Sequence, residues 1–142
     1  MYGIIATWRM ALEGISKADS MLKNNESAAD SIEEAIKAVE DFEYYKSVGY
    51  GGLPNEEMEV ELDAAFMDGD TLEFGCVGGV KDFANPVSIA RSLMHYDANN
   101  FLVGQGAEKY ASRHGFERKT MLTDRALSLI HISEPTRLAL IS

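Results

Sequence analysis

Seven acids crowd one stretch of this sequence, Glu56, Glu57, Glu59, Glu61, Asp63, Asp68 and Asp70, a density that could hold a cation. Their spacing does not follow the EF-hand loop, and on an extended strand Glu59, Glu61 and Asp63 share one face, so a solvated hairpin edge is the competing reading. Gly49-Tyr50-Gly51-Gly52 could cradle a phosphate. No Lys-Ser/Thr follows it and no helix opens behind it, which leaves a structural loop with glycines at positive φ. Cys76 lies in an apolar run with no histidine nearby in sequence, and reads as a small core residue rather than a nucleophile. His95 and His114 lack metal-ligand spacing and read as surface groups; His131 falls in the C-terminal stretch. No Ser-His-Asp or Cys-His set can be assembled. Trp8 stands alone at the end of an apolar segment, where an indole either packs in the core or lines a site.

The elements that must position these groups follow from periodicity. Gly3 to Trp8 is short, apolar and β-prone, and predicts a buried strand. Helical sequence runs from about Arg9 to Leu22, with Met10, Gly14, Ile15, Ala18 and Leu22 on one face. Ser27 is an N-cap, with Asp30 three residues on as in a capping box. The helix behind it carries Ile32, Ala35, Ile36 and Val39 on one stripe and ends near Phe42. Ser47 to Asn55 is turn-rich loop. Met58, Val60, Leu62, Ala64 and Phe66 then alternate with polar or small residues, the pattern of a half-buried strand. Asp68-Gly69-Asp70 signals a hairpin into a second strand, Thr71 to Val80, with Leu72, Phe74 and Cys76 on one face. Asn85-Pro86 opens a helix with Ala90, Leu93 and Met94 inward. Phe101 to Val103 is a short strand, and Gln105 to Arg113 a helix stopped by Gly115. The order β-α-α-β-β-α-β-α, with adjacent antiparallel strands, predicts an α+β fold rather than a doubly wound sheet.

The 142 residues suffice for one domain, and 13 basic against 23 acidic side chains give a net charge of −10. That balance disfavours nucleic acid and anionic membrane surfaces as partners. One cysteine excludes an intrachain disulfide and a thiolate-rich metal site. Without a transmembrane-length apolar run or a signal-like N-terminus, the inventory predicts a cytoplasmic protein with no cofactor and no metal. Residues 127–142, with Ser133-Glu134-Pro135 interrupting any helix, resemble translated sequencing adapter. They are read as a non-native tail behind a unit of residues 1–126, the alternative being a genuine C-terminal helix-turn-strand element.

Three stretches carry a resemblance. They are Ile5-Ala-Thr-Trp-Arg-Met10; Ser47-Val-Gly-Tyr-Gly-Gly-Leu-Pro-Asn55 with Glu61-Leu-Asp-Ala-Ala-Phe-Met-Asp68; and Asn85-Pro-Val-Ser-Ile-Ala-Arg91 with Leu102-Val-Gly-Gln-Gly-Ala107. In this order they resemble the α-chain of the glycosylasparaginases, whose wider relatives are plant-type asparaginases and isoaspartyl peptidases. The resemblance covers about Tyr2 to Arg125. It implies an N-terminal nucleophile hydrolase, here the α-chain half of a four-layer αββα sandwich. Such enzymes cut themselves before a threonine, whose freed α-amine then serves as base for its own hydroxyl in attacking an aspartyl amide. That threonine opens the β-chain; Thr120, Thr123 and Thr136 do not match it, so no catalytic residue is expected here. The resemblance makes Trp8 a wall of the substrate pocket and Ser47 a support for the nucleophile and for processing. Gly49, Gly51 and Gly52 would let the loop pass close to the catalytic strand. It implies a small aspartyl amide as substrate, the chain's own β-chain as partner, and a homo-oligomer of αβ units. Met58 stands where the family usually has glycine, and Cys76 where a smaller residue is usual. A non-catalytic acidic interaction module is the alternative of a different class.

Overall fold

A computed structural model describes residues 1–130. The expectations for residues 131–142, His131 and the Ser133-Glu134-Pro135 break among them, lie outside these. A 3-10 turn, Arg9–Ala11, leads into α1 (Leu12–Lys23), followed by α2 (Ala28–Glu40). Then come β1 (Leu62–Met67), β2 (Phe74–Val80), α3 (Pro86–Leu93), β3 (Phe101–Val103) and α4 (Gly104–Arg113). Residues 124–130 are helical and continue past the 126 boundary without a break.

Local chemistry explains most of these limits. Ser27 Oγ accepts the Asp30 N–H at 3.0 Å and caps α2. The Asp30 carboxylate takes the Ser27 hydroxyl and Arg91 of α3. Asp68 Oδ1 accepts the N–H groups of Asp70 and Thr71, closing the hairpin between β1 and β2. Gly115, at φ +83°, follows α4.

The described sheet has the order β1-β2-β3, with β1 and β2 antiparallel and β2 and β3 parallel. This mixed sheet beside helices is α+β, as expected. The apolar side chains Phe66, Val77, Val80, Val87, Ile89, Leu93, Ala107 and Tyr110 form one core between the sheet, α3 and α4. A second cluster joins Val60 and Leu62 to Met121.

Two expectations are corrected. Gly3 to Trp8 is not a buried strand: it belongs to no sheet, and Ile5 is 94% and Trp8 62% exposed. Its backbone is extended at Trp8 (φ −121°, ψ 143°), but among the described residues no strand pairs with it. Strand β2 begins at Phe74 rather than Thr71, and the face shared by Leu72, Phe74 and Cys76 is the outer one. Gly75 and Val77 point into the core, while Leu72 and Phe74 are exposed and Cys76 is half-buried rather than core. The reason is the close approach of α3, since a Cβ at Gly75 would lie 2.0 Å from the Ala90 carbonyl oxygen. Only glycine lets the helix lie there, and the pleat then turns Phe74 and Cys76 outward.

Met58 has φ +63° and is exposed, at the end of a turn whose Asn55 side chain accepts the Glu57 and Glu59 N–H groups. A left-handed conformation costs a non-glycine residue about 1–2 kcal/mol, partly offset by the greater freedom glycine loses on folding. Met58→Gly is therefore expected to raise stability by about 0.5–1 kcal/mol. An unchanged urea midpoint would contradict this.

Candidate functional site around the Ser47 loop

The loop from Ser47 to Gly52 is built against the end of α2. The Tyr50 N–H donates to the Glu40 carbonyl oxygen at 2.7 Å, and the Gly51 N–H to the Met121 carbonyl at 2.9 Å. Gly52 N–H closes the turn on the Gly49 carbonyl at 3.1 Å, and Leu53 N–H returns to Lys46. Gly49 (φ +59°) and Gly51 (φ +80°) take the left-handed conformation, as the structural-loop reading requires. A Cβ at Gly49 would lie 2.0 Å from the Glu40 carbonyl oxygen, and one at Gly51 2.5 Å from that of Glu43. The loop's close neighbours among the described residues are thus the end of α2, the residues just after it and Met121.

Ser47 sits between two clefts. One, of about 690 Å³, is lined by the extended N-terminal segment, by the apolar stripes of α1 and α2, and by both Trp8 and Ser47. The other, of about 420 Å³, is lined by Ser47, Gly49, Glu40, Glu61, Asp63 and the start of α3. Trp8 and Ser47, distant in sequence, therefore line one cleft. Gly51 and Gly52 are buried behind the loop and line neither. The Ser47 hydroxyl has no hydrogen-bond partner among the described residues. The first cleft is open along the α2 stripe, where Ile32 remains 46% exposed although the helix forms as its periodicity predicts.

The second cleft is acidic. Glu61 pairs with Lys81 at 3.3 Å, and hydrogen bonds from Asn55 and Lys81 hold its carboxyl below the usual range. Glu40 differs. It is 6% exposed at the last position of α2, and burial pushes its carboxyl up to about 7 despite hydrogen bonds from Asn85 and the Val87 N–H. Periodicity carries a signal for it, because Glu40 lies four residues beyond Ile36 on the apolar stripe. A glutamate at a helix end ordinarily reads as solvated. Among the described residues, no group of three or more His, Cys, Asp or Glu side chains is placed to hold a metal ion. No described helix is long and apolar enough to cross a membrane.

An α+β unit in which a glycine-tight loop presents a serine to a tryptophan-lined cleft is the kind of scaffold at hand. The chain belongs to the asparaginase family, whose model matches residues 5–134. It is 35% identical over 120 residues to the N(4)-(Beta-N-acetylglucosaminyl)-L-asparaginase of Elizabethkingia miricola, covering 84% of this chain and 35% of that protein. It is 36% identical over 124 residues to the Plant-type L-asparaginase of Thermococcus kodakarensis, covering 87% and 36%. With the Isoaspartyl peptidase/L-asparaginase of Rattus norvegicus it shares 38% over 120 residues, 80% of this chain and 36% of the relative. The chain thus spans about a third of the length of these curated relatives.

Proposed function

We propose that residues 1–126 form the α-chain wall of an amidohydrolase that cleaves the side-chain amide of N4-(N-acetylglucosaminyl)-asparagine or a related aspartyl amide. The nucleophile is a threonine freed by autoproteolysis at the head of a β-chain beyond this sequence. Its α-amine, with a pKa of about 8, is a competent base for its own hydroxyl at neutral pH. Trp8 supplies a flat apolar surface to a small polar substrate, and Ser47 supports the nucleophile and its release. The chemistry needs no cofactor and no metal. The β-chain covers the open stripe of α1 and α2, and αβ units associate with one another. Residues 127–142 take no part. The observation that carries this reading is the convergence of Trp8 and Ser47 on one open-sided cleft. The Ser47-Val-Gly-Tyr-Gly-Gly52 stretch favours the glycosylated substrate over free asparagine or isoaspartyl peptides, which relatives' names also include.

The gene read past codon 126 in an independent assembly tests the reading. A continuing frame that reaches Gly-His-Asp-Thr is expected; a stop codon in a clean locus would overturn it. The 142-residue polypeptide by itself is expected to release no aspartate from aspartylglucosamine above a no-protein control. In the enzyme completed by that frame, Trp8→Phe is expected to lower kcat/KM about tenfold, about 1.4 kcal/mol of transition-state stabilisation, with little effect on folding. An unchanged kcat/KM would return Trp8 to a packing role.

A further inference from the structure

We propose that Glu40 is a positioning residue that ties the Ser47 loop to the N-terminus of α3, and that its proton controls how firmly the two are held. The importance given to Ser47 rests on the function proposed above; the coupling itself does not. Glu40 faces both partners at once. Its backbone carbonyl takes the Tyr50 N–H at 2.7 Å, and its backbone is the surface on which Gly49 rests. Its carboxyl accepts the Val87 N–H at 3.3 Å, in the first turn of α3, and Asn85 Nδ2 at 3.3 Å. Asn85 also donates to Asp41 Oδ1 at 3.0 Å, so α3 is held across the end of α2. An isolated α2 would leave Glu40 in water, whereas the packed chain encloses it between loop and helix.

The charged side chains that line the cleft with the carboxyl are acids, although Lys81 pairs with Glu61 from outside it. From α2 come Asp41 and Glu33, both of which disfavour its ionisation, although Glu33 is itself bonded to Arg91 and Ser88. From the approach to β1 and its start, Glu61 and Asp63 line the same cleft. The loop contributes the neutral Ser47, and α3 contributes the Asn85 amide and the Val87 N–H. No lysine or arginine lines the cleft. A neutral carboxyl can therefore keep its contacts dry, whereas a carboxylate must draw in water or move toward it. Water would enter the cleft that Ser47 shares. Desolvation outweighs the bonds from Asn85 and Val87, which favour the carboxylate, so protonation keeps loop and α3 packed around Glu40 and ionisation loosens them.

A pH titration by NMR on the 142-residue chain tests this, reading the Glu40 side-chain carboxyl carbon and the amides of Val87, Tyr50 and Gly51 from pH 5 to 9. The carboxyl is expected to titrate near pH 7, and all three amides to follow the same midpoint. Glu40→Gln, which keeps the neutral shape, should hold the amides at their low-pH positions throughout. Asn85→Ala removes a bond that favours the ionised form, and should move the shared midpoint upward by at least half a pH unit. If Val87 follows Glu40 while Tyr50 and Gly51 stay flat, Glu40 merely caps α3 and the proposal fails. It fails equally if the amides still titrate in Glu40→Gln, or if Asn85→Ala leaves the midpoint where it was. No activity is read, so none of these outcomes depends on the substrate assignment.

Discussion

Gly49→Ala is expected to unfold this chain or come close to it. The left-handed backbone at φ +59° costs an alanine about 1–2 kcal/mol. The added methyl would also lie 2.0 Å from the Glu40 carbonyl oxygen, 2.4 Å from its Cα and 2.5 Å from its carbonyl carbon. These are backbone atoms at a helix end and cannot rotate aside, so the loop must lift. Lifting it breaks the Tyr50–Glu40 bond and exposes the buried carboxyl. Overpacking of this kind costs a further ~1–3 kcal/mol. The sum, about 2–5 kcal/mol, is a large part of the ~5–15 kcal/mol that separates folded from unfolded states. Circular-dichroism melting reads the outcome directly. A melting temperature within 2–3 °C of the parent, about what somewhat under 1 kcal/mol would move, would show that the loop does not rest on α2 as described. Gly69→Ala, where a Cβ meets nothing within 4 Å, is the control and should be nearly silent.

The second large effect is a pH dependence of stability that has the opposite sign to that of ordinary carboxylates. Burial raises the Glu40 carboxyl from 4.5 to about 7 in the folded chain. Between these values the folded chain keeps a proton that the unfolded chain has lost, so raising the pH favours unfolding. The stabilisation is complete below about pH 4.5 and is lost as the pH rises through 7. A shift of this size corresponds to roughly 3 kcal/mol. Asp19, Asp30, Glu34, Glu61 and Asp68 are all held below their usual values, so their contribution runs the other way and is exhausted below the same window. Urea unfolding at pH 5, 6, 7 and 8 should therefore show stability falling across the series. Glu40→Gln should flatten the slope and exceed the parent at pH 8. Stability that rises from pH 5 to 8 would rule out a buried, proton-holding Glu40.

The helices and the hairpin were legible because their signals are local. The Ser27 cap, the i, i+3, i+4, i+7 stripe of α2, Pro86 at the start of α3 and the Asp68 turn each act within a few residues. Their bonds appear where their spacing placed them. Alternation also placed Leu62 and Phe66 of β1 inward. On β2 it put Leu72, Phe74 and Cys76 on one face, as they are, but the reading of Cys76 as a core residue missed that this face is the outer one. There the close passage of α3 over Gly75 decides which side is core, and that is a contact between distant segments. Gly3 to Trp8 has strand composition, but a strand needs a neighbour to bond, and none of the described residues supplies one. Trp8 and Ser47 enter the proposed site through the family's motifs, not through their own chemistry.

Glu40 shows most clearly where one kind of information ends and the other begins. Composition, charge and periodicity settle that α2 forms, that it stops near Glu40, and that a glycine loop follows. They leave the side chain's surroundings open, because a glutamate at a helix end has solvent available in any local view. Its neighbours are Asn85 and Val87, more than 40 residues away, and the loop that folds back across its backbone. Desolvation is a property of everything that surrounds a group rather than of the residues beside it in the chain. The acid is written in the sequence, and its burial and raised proton affinity arise only when α2, α3 and the Ser47 loop meet.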